Sequence, residues 1–189
     1  MKSVLISTRP QWVEKICHKI GEDETGKAIY EKRIEVRKTA PKEVPFKAYI
    51  YETQGQYIKF IHGAHTKYGY GRGKVIGEFV CDKVEKLEEH IEQGGLYYIL
   101  SDTFNEQAQL DNWELYDYGK GKTLYGWHIS DLKIYDKPRE LSEFRKPCDR
   151  FLDCFTCRRL VRNEYMSCDN KITRPPQSWM HVEDLGEEE

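Results

Sequence analysis

Apolar and polar residues alternate along most of this chain with the period of β-strands. An apolar run at residues 3–8 predicts a buried first strand. The next stretch repeats apolar residues at helical spacing, which predicts a helix that begins at Pro10 and ends at Gly21. The predicted buried face of that helix consists of Trp12, Val13, Ile16 and Ile20. Further strands are predicted at residues 32–38, 47–53, 73–87, 125–137 and 178–182.

Three stretches lack a clear strand pattern. Residues 21–32 are polar and contain glycine, which predicts a loop or a short helix. Residues 54–73 are rich in Gly, Tyr, Lys and His and predict a long surface loop, whereas residues 88–118 show mixed helical patterning. Within the strands, Gly77 is typical of a bulge, and the alternation slips near Asp131.

One early and one middle helix among several strands indicate an α+β domain built on a curved or closed sheet. The 189 residues suffice for one core and a small appended module. We expect the main domain at residues 1–146 and a Cys-rich insertion at residues 147–174. Residues 175–183 would then return to the core as a final strand, and residues 184–189 would form an acidic tail.

Composition narrows the functional classes. The net charge is only -2 although 33% of the residues are charged, so a nucleic-acid site must be a local basic patch. No apolar run approaches the roughly 18 residues that cross a membrane, and the N-terminus lacks the features of a signal peptide. We therefore expect a cytosolic protein without a membrane partner, whose oligomeric state the sequence leaves open.

The predicted strand at residues 32–38 carries an unusual polar row. Side chains alternate between faces, so Arg33, Glu35 and Arg37 share one face and Ile34 and Val36 share the other. Arginine suits phosphate or a base edge, and a glutamate accepts a hydrogen bond from an exocyclic amine. The row is therefore either an exposed ladder of ion pairs or the floor of a cleft.

His128 is a second candidate. A histidine near neutral pH serves as acid or base and also stacks on nucleobases, but it is equally compatible with an ordinary strand position. Because strand neighbours alternate, Trp127 and His128 should face opposite sides. The prediction places His128 in the cleft, with Ser7 and Arg9 as its neighbours.

A basic and aromatic run occupies residues 59–74 and contains no Asp or Glu. Cations neutralise phosphate and aromatic rings stack on unpaired bases, so this composition is typical of contacts with single-stranded nucleic acid. A flexible loop of accidental composition is the alternative. Its basic residues are Lys59, His62, His65, Lys67, Arg72 and Lys74.

Four cysteines lie close together in the predicted insertion. A CxxC pair supplies the tight turn that lets two thiolates face one ion, and disulfides are disfavoured in the cytosol. A tetrahedral zinc site is the leading prediction, with an iron–sulfur cluster or free thiols as alternatives. The four predicted ligands are Cys148, Cys154, Cys157 and Cys168. Cys17 and Cys81 are predicted to be ordinary core residues.

Several motifs together resemble the ASCH-domain family of the PUA-like superfamily. Lys32, Glu35 and Arg37 match the spacing of the motif G-x-K-x-x-E-x-R, although Tyr30 stands in place of its glycine. The flanking segments ISTRPQW, GKVIGEF, YGWHISDL and PPQSW extend the resemblance over most of residues 3–183.

The resemblance implies a PUA-like, barrel-like core with flanking helices and a cleft for RNA or a modified nucleoside or nucleotide. The site residues that we carry over or place beside it are Ser7, Arg9, Lys32, Glu35, Arg37 and His128. Some members are enzymes, either ribonucleases or amidohydrolases that deacetylate cytidine. Lys32 would then be an activated amine or oxyanion stabiliser and Glu35 a general base. The amidohydrolase branch has a threonine where this chain has Glu35, so that hydroxyl nucleophile is absent. A protein-interaction module of viral or mobile-element type is a further alternative.

Overall fold

The computed structural model describes residues 1–61, 65–92, 95–101, 103–147 and 170–186 of the chain. The strands are β1 (Lys2–Thr8), β2 (Lys19–Glu22), β3 (Ala28–Tyr30), β4 (Ile34–Arg37), β5 (Phe46–Glu52), β6 (Gln56–Ile61), β7 (His65–Tyr70), β8 (Lys74–Cys81), β9 (Val84–Leu87), β10 (Glu89–Glu92), β11 (Gly95–Tyr98), β12 (Leu124–His128), β13 (Ser130–Arg139) and β14 (Trp179–Val182). The helices are α1 (Pro10–Cys17), α2 (Phe104–Ala108) and α3 (Asn112–Gly119), and a 3₁₀ turn covers Leu141–Glu143.

A five-stranded sheet forms the centre of the fold, in the order β13-β8-β5-β1-β14. β1 runs parallel to β5 and antiparallel to β14, so the chain's last strand pairs with its first. Strand β14 therefore lies in the central sheet beside β1. The apolar faces of β1, β5 and β8 are fully buried, which accounts for their near-continuous apolar sequence.

A second sheet of three strands, in the order β4-β12-β9, carries the polar row. Ile34 and Val36 pack into a cluster with Phe104, Leu115 and Leu124. All four residues of β4 are buried, so both of its faces are covered. Helices α2 and α3 cover the aliphatic face, and the opposite face carries Glu35 and Arg37 toward the end of β1.

The α+β class is confirmed, but a closed barrel is not found among the described residues. Their strands form one five-stranded and one three-stranded sheet, together with three separate two-stranded hairpins. Within the described ranges, no helix has the length and apolar character needed to span a membrane.

The predicted helix ends earlier than its apolar spacing indicated. Helix α1 stops at Cys17, and Ile20 is 54% exposed in the following strand. The stretch predicted as a loop or short helix is the β2–β3 hairpin instead. The side chain of Asp23 accepts hydrogen bonds from the backbone N–H groups of Thr25 and Lys27, which closes the turn between the two strands.

Two further stretches form hairpins that their composition did not predict. Strands β6 and β7 pair where a long surface loop was expected. Strands β10 and β11 pair within residues 88–118, where the sequence indicated helix, and helices α2 and α3 follow them. Other details were predicted correctly: pairing shifts register beside Gly77, and Asp131 has a positive φ of 47° where the alternation slips.

Candidate functional site

A cavity of about 810 Å³ opens where α1, α3, β4 and the end of β1 meet the segment before β14. Its volume falls in the range of small-ligand sites. The lining residues are Ser7, Thr8, Arg9, Trp12, Lys32, Glu35, Val36, Arg37, Lys38, Thr53, Leu110, Glu114, Asp117, Tyr118, Lys120, Pro175, Pro176, Gln177 and Ser178. Glu35 and Arg37 of the polar row therefore line the floor of a cavity, whereas Arg33 lies outside it and pairs with the exposed Glu106.

Arg37 joins three parts of the chain beneath this cavity. Its Nη1 donates to the carbonyl oxygens of Ser7 at 3.0 Å and Ser178 at 3.3 Å. Its Nη2 donates to Thr8 Oγ1 at 3.1 Å and lies 2.9 Å from Glu35 Oε1. Because these four contacts occupy a guanidinium that is only 7% exposed, Arg37 holds Glu35 and the β1–β14 edge in place.

Glu35 is ion-paired on both sides but keeps one oxygen without a hydrogen bond. Its Oε1 pairs with Arg37, and its Oε2 lies 3.6 Å from Lys32 Nζ, which is too long for a hydrogen bond. Within the described residues, Oε2 is buried and has no hydrogen-bond donor. A buried carboxylate oxygen in this state is costly unless a ligand or water supplies the donor.

Lys32 is the most deeply buried cation of the site, with 2% of its side chain exposed. Its Nζ donates to the carbonyl oxygen of Ala108, the last residue of α2, at 2.6 Å, and lies 5.2 Å from the centre of the Trp12 ring. A carbonyl oxygen at the end of a helix has no hydrogen-bond partner within that helix, so the Lys32 amine supplies the donor that the Ala108 oxygen lacks. Burial lowers the pKa of Lys32 below its ordinary value of 10.5, and the nearby Glu35 carboxylate opposes that shift.

The lowered pKa of Lys32 predicts a specific pH dependence of stability. Between the pKa in the folded state and 10.5, the unfolded chain holds a proton that the folded chain lacks, so raising the pH favours folding. The unfolding free energy of the wild type should therefore rise relative to Lys32→Met as the pH approaches 10.5 and level off above it.

Denaturant unfolding of both proteins at a series of pH values measures this difference, because titrations common to both proteins cancel. A difference that stays constant from neutral pH to 10.5, or that falls, would show that Lys32 keeps an ordinary or raised pKa in the folded state.

The rim of the cavity combines cations with an aromatic ring. Lys38 Nζ lies 5.0 Å from the centre of the Tyr118 ring, and burial raises the pKa of the Tyr118 hydroxyl. Arg9 is exposed, and its guanidinium has no ion-pair or hydrogen-bond partner in the part of the chain that the structure describes. Lys120 Nζ is 3.9 Å from the Asp117 carboxylate. Arg9 and Lys38 are therefore available to an anionic group at the mouth.

The structure brings together five of the six predicted ligand-binding residues and separates the sixth. Ser7, Arg9, Lys32, Glu35 and Arg37 all line the cavity. The Ser7 hydroxyl donates to the Pro176 carbonyl oxygen at 2.6 Å, so it fixes the cavity wall.

His128 lies outside this group. Its Nε2 is 2.8 Å from Glu85 Oε2, and it does not line the cavity. The register explains the error: His128 lies opposite Ile34, whereas Trp127 lies opposite Glu35. Residues opposite one another across a strand pair share a face, so His128 lies on the face away from the polar row.

Trp12 and Tyr118 are site residues that the sequence did not single out. Trp12 belonged to the predicted apolar face of α1, but its half-buried ring lines the cavity beside Lys32. Tyr118 lies four residues after Glu114, and both line the cavity because that spacing places them on one side of α3. The sequence signal for Tyr118 was its position one helical turn after the charged Glu114, which predicts that the two side chains share one side of the helix.

The chain is similar to solved structures of ASCH from Zymomonas mobilis. One crystal structure has a TM-score of 0.49 and 16% identity, covering 96% of this chain and 88% of that chain. Two variants of that protein with single substitutions have the same TM-score of 0.49. The match to the first has 16% identity and covers 97% of this chain and 91% of that chain. The match to the second has 15% identity and covers 96% of this chain and 89% of that chain. No family model matches the chain, and no curated protein matches it. These solved structures belong to the family whose motifs the sequence resembles.

The four predicted metal ligands lie outside the described residues. They are Cys148, Cys154, Cys157 and Cys168. Among the residues that are described, no group of three or more His, Cys, Asp or Glu side chains is arranged to hold a metal ion. Cys81 is buried in the core as predicted, and Cys17 is partly buried against the same cluster. Burial raises the pKa of Cys17 to about 11 and that of Cys81 to about 12, so both thiols stay protonated at neutral pH.

The zinc site therefore remains a prediction. We expect about one zinc ion per chain, bound by the four thiolates, because residues 147–174 contain few aliphatic residues to stabilise a module of their own. Elemental analysis of protein purified without chelator measures this, with iron quantified in the same sample. Zinc and iron both below about a tenth of an equivalent, with all four thiols reactive in the native protein, would contradict the site.

Proposed function

We propose that this chain binds RNA or a modified nucleoside, with one base in the cavity above Lys32 and Glu35. The observation that carries the proposal is a buried carboxylate oxygen without a hydrogen-bond donor among the described residues, at the floor of a cavity of suitable size. The sequence resemblance to ASCH-domain proteins supports RNA or a modified nucleoside over other small ligands.

The chemistry of the cavity suits a base that carries an exocyclic amino group. Such an amine would donate to Glu35 Oε2, and the Lys32 ammonium is close enough to that oxygen to hold a neighbouring base carbonyl. The half-buried rings of Trp12 and Tyr118 offer faces on which a base stacks. Arg9 and Lys38 at the mouth would contact phosphate.

A binding panel tests the choice of base. Calorimetric titration with cytidine, acetylated cytidine, adenosine and uridine should favour the ligands whose base presents an exocyclic N–H. Glu35→Gln replaces a carboxylate with two acceptor oxygens by an amide with one. The affinity difference between bases with and without an exocyclic N–H should therefore fall by about 1–3 kcal/mol, the usual contribution of a good contact to a base edge.

The matched control is Glu106→Gln, an exposed glutamate outside the cavity. It should leave every affinity unchanged. Equal affinity of the wild type for uridine and cytidine, unaffected by Glu35→Gln, would contradict the role given to Glu35.

An enzyme on the same scaffold is the second candidate, and the lowered pKa of Lys32 favours it. A larger neutral fraction makes an amine a better nucleophile or base, and Glu35 Oε2, at 3.6 Å, would exchange a proton with it through one bridging water. The wild type would then hydrolyse labelled RNA or a modified nucleoside, and Lys32→Met would abolish turnover. Absence of turnover by the wild type across such a panel would leave binding as the function.

A further inference from the structure

The β6–β7 hairpin carries the basic and aromatic run that the cavity does not use. Residues 56–61 pair with residues 65–70 and form a sheet separate from the two larger ones. Residues 53–77 contain no Asp or Glu, although the chain as a whole has 32 acidic residues. The hairpin is therefore a two-stranded ribbon whose own sequence supplies cations without compensating anions.

The pairing register sets two lysines against each other. Lys59 lies opposite Lys67, and His65 lies opposite Ile61 two positions further along the same face. Like charges at directly opposite positions destabilise a strand pair. Two cationic residues at opposite register positions favour a polyanion as the ligand of the ribbon, because its negative charge would compensate theirs.

The base of the ribbon is fixed beside the cavity. A side chain added at Gly71 would lie 1.8 Å from the Thr53 carbonyl oxygen and 2.7 Å from Pro10 Cγ, so the backbone approaches both residues closely. The backbone N–H of Arg72 donates to Glu52 Oε2 at 3.0 Å, which ties the same point to β5. Thr53 lines the cavity, and Pro10 directly follows Arg9 at its mouth. Tyr70, at this end of the ribbon, is 72% exposed.

We propose that the ribbon binds the sugar–phosphate backbone of an RNA strand whose base occupies the cavity. The ligand is then a polynucleotide rather than a free nucleoside, with Lys59 and Lys67 contacting phosphates and Tyr70 offering a ring to a flanking base. This inference rests on the proposed function of the cavity and adds a second, physically separate contact to it.

The test compares oligonucleotide and nucleoside binding in one pair of variants. Fluorescence anisotropy with a labelled single-stranded oligoribonucleotide of about 12 residues covers a typical site for a single strand. Lys59→Gln/Lys67→Gln should weaken its binding roughly tenfold at low salt, and should lower the slope of log affinity against log salt by about 1.4, since each phosphate contact contributes about 0.7. Affinity for the free nucleoside that binds the wild type should not change.

The matched control is Lys133→Gln/Lys137→Gln, which removes two exposed lysines from the edge strand β13. An equal loss in the control would indicate a general charge effect and overturn the assignment to the ribbon. Polyglutamate is a polyanion without bases. If Lys59→Gln/Lys67→Gln weakens the binding of polyglutamate as much as the binding of the RNA, the ribbon is a non-specific polyanion surface, which also overturns the proposal.

The two proposals fail in different ways. Unchanged RNA binding in the ribbon variant, with binding lost in Lys32→Met, refutes the ribbon and leaves the cavity. RNA binding that depends on the ribbon but not on Lys32 refutes the base in the cavity and, with it, the joint site proposed here.

Discussion

Replacing Arg37 with alanine is expected to lower the free energy of unfolding by about 3–5 kcal/mol, as removal of one partner from a buried ion pair does. The change leaves the Glu35 carboxylate buried with only Lys32 nearby, at 3.6 Å. It also removes the donors that the carbonyl oxygens of Ser7 and Ser178 receive from the guanidinium. Urea denaturation followed by circular dichroism near neutral pH measures the difference.

Arg33→Ala is the matched control for this prediction, because it removes the same side chain four residues earlier. Arg33 Nη2 lies 3.3 Å from Glu106 Oε1, and the two side chains are 36% and 72% exposed. Such a pair contributes at most about 1 kcal/mol. Equal effects of the two substitutions would mean that Arg37 is not the buried support of Glu35 and of the β1–β14 edge.

Lys32→Met is expected to weaken RNA or nucleoside binding by at least about 30-fold, which corresponds to the lower end of the 2–5 kcal/mol lost when a buried charged contact is truncated. Methionine keeps most of the volume beside Trp12 but cannot donate to a ligand. The fold should persist, because Glu35 retains its 2.9 Å pair with Arg37. Calorimetric titration of both proteins with the same ligand measures the loss.

Lys120→Met controls for the loss of a cation from the cavity. Lys120 lines the rim, and its side chain is 72% exposed. Its replacement should change affinity by less than about threefold, since exposed charges contribute little. If Lys120→Met were as damaging as Lys32→Met, binding would depend on the net charge of the mouth and not on the buried amine.

The sequence predicted the polar row of β4 because alternation is a local property. Strand geometry alone places Glu35 and Arg37 on one face and the aliphatics on the other. Whether that face is exposed or covered depends on distant parts of the chain. The carbonyl oxygens that hold Arg37 belong to residues 30 and 141 positions away in sequence. No local sequence pattern indicates such distant partners, so the sequence alone does not decide whether this face of β4 is exposed or covered.

Composition predicts loops where the structure has hairpins, because residues typical of loops also occur within short paired strands. Residues 54–73 contain several glycines, yet β6 holds four strand-forming residues, namely Tyr57, Ile58, Phe60 and Ile61. In the β2–β3 turn the Asp23 side chain accepts hydrogen bonds from the backbone N–H groups of Thr25 and Lys27, in addition to the backbone hydrogen bonds that join Asp23 to Lys27 and to Gly26. His128 was misplaced for another reason: alternation fixes which neighbours face apart, but only the pairing with β4 decides which face each takes.

Photo-crosslinking of an oligoribonucleotide that contains 8-azidoadenosine, a photoreactive nucleoside that keeps the exocyclic amino group of its base, is the most direct test of binding in the cavity. Mass spectrometry of the crosslinked peptides should find adducts on the segments that hold Trp12 and Tyr118, since both rings line the cavity. The same adducts should disappear in Lys32→Met, while Lys120→Met keeps them. Adducts confined to other segments, with equal yield from the wild type and Lys32→Met, would contradict the assignment of this cavity as the RNA site.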